Sequence, residues 1–588
     1  GDVFTKFITT KEKFHDFIDT ESSKKNDDDG ETAESTEETC AEEPESKKLK
    51  LNPEEKPKED RPDCKRHRGQ NKSRPHVKPN TYEEKRLCLS NNVCPFGDKC
   101  RFFHDVAEYM ASKPADIGES CHLYDTFGKC SYGVSCRFAN AHTTPDFKTM
   151  ENKDLVAAWE NRATVRNSLN KELQTRLRKR SEPFTKSVEY LKMLSKYKDK
   201  KEQNRNGKSL TGTVPDTQPP VKTIGPLTDA DVIKLRPCEK KQVLQLYLSQ
   251  KRCGNLPFRR VCKRFGVDIT CGEMAMCTNL LQGQQSEWAL LKRHESEDVF
   301  GVQVEGCFPD TMTRCAELIN NNTDVDFVDI NSGCPIDLVY KKGGGCGLMT
   351  RTRKFEQIIK GMNYVLDVPL TVKIRTGVQE RSNIAHKLIP EMKTWGVSMI
   401  TLHGRSREQR YTKLADWDYI STCSKLASPV PLFGNGDVLS YEDAMKARET
   451  GVSGLMIARG ALIKPWIFTE IKEHRHWDIS SSERLDILRD FTNFGLEHWG
   501  SDTRGVEKTR TFMLEWLSFM CRYIPVGLLE RVPQKINERP PYYLGRNYLE
   551  SLMASQNVGD WVKISEMLLG PVPKNFNFLP KHKANAYK

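Results

Sequence analysis

From residue 244 to residue 459 the chain repeats one pattern: a short β-prone apolar run, then a stretch long enough for a helix. The runs are 244–249, 268–274, 300–306, 327–333, 370–376, 398–404, 431–434 and 454–459. Phe327-Val328-Asp329-Ile330 and Met399-Ile400-Thr401-Leu402 show the composition, and segments such as 354–366 and 384–395 lie between most of them. Strands alternating with helices build parallel sheets. Eight such units in about 235 residues match a TIM (β/α)8 barrel, so an α/β barrel domain is expected over 235–475. A doubly wound open sheet has the same periodicity and is the second expectation.

With 588 residues the chain exceeds what one core holds, and several domains are expected. It begins at Gly1 and not Met, as expected of a piece of a longer product. No segment has the long uncharged apolar run of a membrane helix, and no signal-peptide core stands near the start. A soluble, intracellular protein, cytoplasmic or nuclear, is expected. Residues 1–80 are dominated by Glu, Asp, Lys, Ser and Pro, which bury too little apolar surface to offset chain entropy. We expect this region to be disordered, with Lys47-Lys48-Leu49-Lys50 as a nuclear import signal. Residues 150–226 read as a basic helix followed by a linker rich in Asn, Gly, Thr and Pro. Residues 476–588 read as an all-α domain. It opens on the capping box Ser480-Ser481-Ser482-Glu483, followed by Leu485, Leu488, Thr492 and Gly495 at helical spacing.

The formal net charge of +12 is unevenly placed. Acidic residues crowd 20–60, and basic runs follow at 65–68 and 176–180. Such runs suit a polyanion, nucleic acid above all, although a solvated linker carries the same charge. Nothing in the sequence specifies an oligomer, and a monomer is expected.

The 19 cysteines are an odd number in a chain without a secretory signal, which points to metal or catalysis before disulfides. Cys88, Cys94, Cys100 and His104 are spaced C-x5-C-x5-C-x3-H, and Cys121, Cys130, Cys136 and His142 follow as C-x8-C-x5-C-x5-H. Three thiolates and an imidazole close a tetrahedral Zn2+ site, so residues 84–144 are expected to hold two structural zincs. Both clusters resemble CCCH zinc fingers, a family that often binds single-stranded RNA. Phe96, Phe102, Phe103, Tyr124, Phe127, Tyr132 and Phe138 are interleaved with cations. About half are expected to pack around metal and the rest to stack on bases.

In a barrel, chemistry sits at the C-terminal strand ends. Those ends carry Gln303, Asn331 and Cys334, Lys373 with Arg375, His403 with Arg405, Asn435-Gly436-Asp437, and Ala458-Arg459-Gly460. The glycines after the last two strands let the backbone approach a phosphate, with Arg459 beside them. Lys373, His403 and Gln303 offer donors to an electron-rich ring.

Asp329-Ile330-Asn331-Ser332-Gly333-Cys334-Pro335, followed by Lys341-Lys342-Gly343-Gly344-Gly345, resembles the signature of the tRNA-dihydrouridine synthases. The blocks at 373–377, 401–405 and 434–437 resemble that family too. The resemblance covers about 235–588, and the paired fingers place it with the eukaryotic type acting on uridine 47 of the tRNA variable loop. It implies an oxidoreductase acting on a CH–CH bond with FMN, reduced by NADPH or NADH. The flavin N5 would deliver hydride to uridine C6, and Cys334 a proton to C5. An ordinary thiol, with a pKa of ~8.5, carries that proton at neutral pH. The resemblance assigns Gln303, Lys373, His403, Asn435, Gly436, Asp437, Ala458 and Arg459 to FMN and places Asn331 by the base. Arg375 and Arg405 are expected to contact substrate. tRNA is the expected partner, with mRNA a second candidate substrate.

The family opens its barrel with a strand ending in an Ala-Pro turn against the flavin. Here the stretch 246–255 reads Leu-Tyr-Leu-Ser-Gln-Lys-Arg-Cys-Gly-Asn, without Ala-Pro. Two further readings follow: an RNA-binding protein with an impaired barrel, and an FMN enzyme acting on a small molecule. Cys271, Cys277, Cys307, Cys346 and Cys423 are expected to be buried structural thiols.

Overall fold

A computed structural model describes residues 6–28, 86–88, 94–206, 246–249, 254–529, 538, 540–574 and 576–580. Its centre is a nine-stranded parallel sheet in which eight strands ring the barrel: β1 (Leu246–Ser249), β2 (Ile269–Cys271), β3 (Val299–Glu305), β4 (Phe327–Asn331), β5 (Leu370–Arg375), β6 (Met399–His403), β7 (Leu432–Asn435) and β8 (Gly454–Ile457); the short strand Ala275–Met276 adds to β3. Each strand pairs in parallel with the next, and β8 pairs back onto β1 with Gly454 opposite Leu246. That closure is a barrel and rules out the open sheet. The eight barrel strands fall on the eight expected runs. β1 forms and seals the barrel despite its unusual sequence. Residues 250–253, where the Ala-Pro turn would stand, lie outside the described residues.

Alternation along the strands builds the lumen in layers. Ile269, Cys271, Phe327, Met399, Phe433 and Met456 form one apolar cluster, separate from the main core. Gly301 stands opposite Phe327, and a Cβ there would meet the Phe327 ring at 2.2 Å. The next residues inward along β3, β4 and β5 are Gln303, Asp329 and Thr371, in register with one another. Above them come Asn331, Lys373, His403 and Asn435, whose side chains open on the C-terminal face.

The C-terminal region is helical, as expected. Ser480 and Glu483 form a capping box at the start of helix Ser481–Trp499. That helix crosses Thr503–Met520 closely at Gly495, where a Cβ would lie 2.5 Å from Thr509. Helices Tyr548–Ala554 and Val558–Leu569 complete it.

Residues 150–206 form three helices: Lys153–Ala158, Lys171–Lys179 and Thr185–Asn206. The second buries Leu173 and Leu177 and leaves Arg176, Arg178, Lys179 and Arg180 exposed. The rest of the expected linker lies outside the described residues.

One expectation is corrected at the N-terminus over residues 11–28; residues 29–80 lie outside the described residues. Residues 1–80 were read as disordered, yet Lys11–Asp28 is a helix. Phe14 and Ile18 are buried, and the Phe14 ring lies 5.5 Å from that of Tyr542. Phe14, Phe17 and Ile18 share one face, and their partner lies more than five hundred residues away. The import-signal stretch at 47–50 lies outside the described residues. No helix among the described residues is long and apolar enough to cross a membrane.

Candidate functional site

At the C-terminal mouth of the barrel an open cleft is lined by Lys373, His403, Tyr411, the segment 435–439 and the segment 456–460. Seven of the eight expected flavin residues meet there: Lys373, His403, Asn435, Gly436, Asp437, Ala458 and Arg459. Asn435 ties two strands together. Its Oδ1 accepts from Lys373 Nζ at 3.2 Å, and its Nδ2 donates to the Met456 carbonyl at 2.7 Å.

Two glycines make the cradle. Gly436 has φ +140°, and a Cβ on it would lie 2.5 Å from Ala415 Cβ. A Cβ on Gly460 would lie 2.4 Å from the Val438 carbonyl. Neither position has room for a side chain, so both present bare backbone to the cleft they line, as close approach to a phosphate requires. The charge there is positive. Arg405 Nη2 donates to both oxygens of Asp437 at 2.8 and 2.6 Å, and Arg459 stands 3.6 Å from the same carboxylate. Burial lowers the Arg459 pKa from its ordinary value, but an arginine stays charged. Two guanidiniums against one carboxylate leave net positive charge to meet an anion.

Tyr411 was not foreseen. The Arg459 guanidinium lies 4.2 Å from its ring centre and that of Arg405 5.1 Å, and its ring stacks on His403 at 6.4 Å. It comes from the loop after β6 and carried no motif signal.

Three expectations shift. Asp437 lines the cleft, but its carboxylate also accepts from the Ala415 N–H at 2.7 Å and is spent holding Arg405. Arg405 is 1% exposed and donates to the Lys413 carbonyl from Nε and Nη2. Arg375 is 3% exposed and donates to the Gly333 and Ser406 carbonyls at 2.8 and 2.9 Å. Both were expected to contact substrate. The donors to those carbonyls brace the loops after β4 and β6.

Cys334 follows β4 and is buried at 8% exposure. Its backbone is held on both sides. The Cys334 N–H donates to Asn331 Oδ1 at 2.8 Å, and the Cys334 carbonyl accepts from the Cys346 N–H at 3.2 Å. Gly345 adopts φ +51°, and a Cβ on it would come within 2.9 Å of Cys334 Cβ. A salt bridge from Arg407 to Asp337 pins the helix Asp337–Lys342 that follows, with Arg407 also 3.9 Å from the Tyr340 ring centre.

Cys271, Cys277, Cys307, Cys346 and Cys423 are all buried, as expected. Burial pushes the Cys346 and Cys423 thiols up to about 11. Gln303, assigned to the flavin, uses its amide on Asp329 and Asn331 just below the mouth.

The two Cys/His clusters assemble as expected. In each, the four ligand atoms lie within 4.8 Å of one another. The Cys121 and Cys136 sulfurs are 3.8 Å apart, as two ligands at about 2.3 Å from a tetrahedral zinc require. His142 is fully buried, and neither ring nitrogen has a hydrogen-bond partner. Its five-residue spacer therefore still delivers a nitrogen to the three thiols. Of the seven finger aromatics, Phe96 alone is exposed, at 70%. Tyr124, Phe127 and Tyr132 pack partly buried against the core, and Phe138 lies within it.

Comparison with known proteins agrees with this layout. Residues 251–501 match the dihydrouridine synthase (Dus) family, and residues 84–112 and 113–145 match the DUS3L CCCH zinc finger domain. Proteins named tRNA-dihydrouridine(47) synthase [NAD(P)(+)]-like are similar along nearly the whole chain. The Xenopus laevis protein is 65% identical, covering 99% of this chain and 95% of that one. The Homo sapiens protein is 60% identical over the same shares. The Arabidopsis thaliana protein is 44% identical, covering 84% of this chain and 83% of its own. The chain belongs to the dihydrouridine synthase family. Dihydrouridine synthases are oxidoreductases that use FMN and NAD(P)H, and the glycine cradle with its arginines fits the phosphate of FMN. The buried thiol and imidazole clusters fit Zn2+.

Proposed function

We propose that this dihydrouridine synthase reduces the C5–C6 double bond of uridine in tRNA, at position 47 of the variable loop, with Cys334 as proton donor. The observation that carries the reading is the placement of Cys334. It follows the C-terminal end of β4, the strand whose Asn331 is paired with the cleft residue Lys373, on a loop fixed by Asn331, Cys346 and Gly345. The relatives named for position 47 match almost the entire chain, fingers included.

When bound, FMN supplies the transfer of hydride from NAD(P)H to the uracil ring. The chain's own residues do the rest. Lys373, His403 and Asn435 present donors to the ring, while Gly436, Gly460 and Arg459 receive the phosphate. Asn331 faces the base, and Cys334 delivers the proton that completes the saturated C5. The target uridine must leave its stack, at a cost of a few kcal/mol. The exposed cations at 176–180 and the first finger's Phe96 would offset that cost by holding neighbouring RNA; their exposure supports the reading. Uridines in mRNA loops of similar shape are further substrates on this reading.

The test is direct. Purified protein should carry a flavin absorbance band and convert tRNA uridine to dihydrouridine, read by mass spectrometry of nucleosides. Cys334→Ala should slow that conversion by roughly 10²-fold or more. Normal turnover by Cys334→Ala removes the proton-donor assignment, and product at a uridine other than 47 removes the position.

A further inference from the structure

Asp329 sits in the barrel lumen at 3% exposure, in register with Gln303 and Thr371 on the neighbouring strands. Its Oδ1 accepts from Thr371 Oγ1 at 2.6 Å, and its Oδ2 accepts from Gln303 Nε2 at 2.7 Å. An ionised carboxylate only accepts hydrogen bonds, so it dictates which end of the Gln303 amide faces it. Gln303 Oε1 is thereby turned to Asn331 and accepts from Asn331 Nδ2 at 2.7 Å. The Asn331 amide is turned in its turn. Its Oδ1 faces the loop and accepts from the Gly333 and Cys334 N–H groups at 3.2 and 2.8 Å. Reversed, the same amide would set its NH2 against two backbone donors and hold nothing.

We propose that Asp329 is a positioning residue for Cys334: its charge sets the direction of two successive amides and, through them, the backbone that carries the thiol. The proposal rests on the reading of Cys334 as proton donor. It explains why a carboxylate is kept in this place. The layer beside it is apolar, and burial pushes its pKa up to about 6, with Thr371, Gln303 and Lys373 acting against the rise. A neutral side chain would cost less to bury. It would not fix the polarity of the chain of amides. An Asn at 329 no longer dictates the direction: because the Thr371 hydroxyl accepts as well as donates, the new amide can turn its NH2 to Gln303, draw Oε1 toward itself, and leave Nε2 to pull Asn331 Oδ1 off the loop.

Asp329→Asn is tested with four readouts in the full-length, FMN-loaded protein. FMN content should stay stoichiometric, and flavin reduction by NADPH should stay within about threefold of the parent. Reoxidation of the reduced flavin by tRNA, measured without oxygen, should slow at least about tenfold. Deuterium exchange in peptides covering 332–346 should quicken, because the Gly333 and Cys334 amides lose their acceptor. The double variant Asp329→Asn with Gln303→Glu again faces Asn331 with an acceptor, and its exchange should return toward the parent. Unchanged exchange and unchanged reoxidation in Asp329→Asn overturn the proposal. So does an equal loss in both half-reactions without recovery of exchange in the double variant. If Asp329→Asn does not fold, Thr371→Val decides. It removes one donor to the carboxylate, and should slow reoxidation by about threefold while sparing reduction; no effect overturns the proposal. Cys334→Ala run alongside separates the two claims. Retained reoxidation there sinks the proton-donor reading, while the exchange result still judges the relay.

Discussion

Gly345 shows how little room the loop carrying Cys334 has. At φ +51° it occupies a conformation that costs a side-chain-bearing residue energy, and a Cβ would stand 2.8 Å from the Cys334 carbonyl oxygen and 2.9 Å from its Cβ. Gly345→Ala should therefore push Cys334 off its place. Dihydrouridine formation should drop by about tenfold or more, with FMN content unchanged, since the flavin cradle lies on β7 and β8. Loss of flavin together with activity would instead mean that the whole mouth had collapsed. Glu305 lies against the same loop: a Cβ on Gly344 would run into its Oε1. Burial pushes its carboxyl up to about 7, with Lys342 acting the other way. Because the folded-state pKa is raised, the bound proton stabilises the fold. That contribution is full below the ordinary Glu value and is lost as pH rises toward and past 7. Melting temperature should therefore fall between pH 6 and pH 8, and Glu305→Gln should shrink that difference. An identical pH slope in the variant would show that Glu305 is not the group responsible.

At the scale of elements, the strands were legible because each must be β-prone and apolar enough to sit between lumen and helices. The eight runs named from sequence hold the eight strands that ring the barrel; the two-residue strands Val165–Arg166, Ala275–Met276 and Arg293–His294 carry no such run. The capping box at Ser480 was legible for a similar local reason, since Glu483 folds back on it within one turn. Contacts decided elsewhere were not legible. Helix Lys11–Asp28 owes its place to Tyr542 and Tyr548 of the C-terminal region, and Ser22 reaches the Tyr548 hydroxyl at 2.8 Å. Nothing within residues 1–80 announces those partners. The cleft divides in the same way. Strand-end position found Lys373, His403, Asn435 and Arg459. It could not say that Arg375 and Arg405 would donate to carbonyls after β4 and β6, because a strand end fixes where a Cα lies and not where a long side chain points. Tyr411 escaped for the converse reason: it belongs to a loop, and only the fold brings it over two arginines.

Across the whole molecule, the two fingers sit in different surroundings. The ligands of the second are all buried, at 3% exposure or less. Its Arg137 N–H donates to the Ser501 carbonyl at 2.8 Å, and Cys130 Sγ lies 3.6 Å from Ser501 Oγ. Glu497, on helix Ser481–Trp499, joins His122 of the finger to Arg260 of the barrel's first helix, Leu256–Arg264. The second finger is therefore part of the wall between barrel and C-terminal helices. These contacts are part-buried, and removing one partner leaves the others without their hydrogen bonds. The first finger is more open. Its His104 is exposed, Phe96 is the most exposed aromatic of the pair, and Arg101 lies over Phe102. Removing each zinc should thus have a different effect. Cys136→Ser should lower the melting temperature of the whole protein by several degrees, since loss of a metal-held fold typically costs more than about 1–2 kcal/mol. Cys94→Ser should leave the main thermal transition in place and weaken tRNA binding, with a shallower dependence of affinity on salt as cation contacts are lost. Thermal melting and salt-dependent tRNA binding on both variants read the difference. If Cys94→Ser destabilises the body as much as Cys136→Ser, the division between a structural and an RNA-facing finger is wrong.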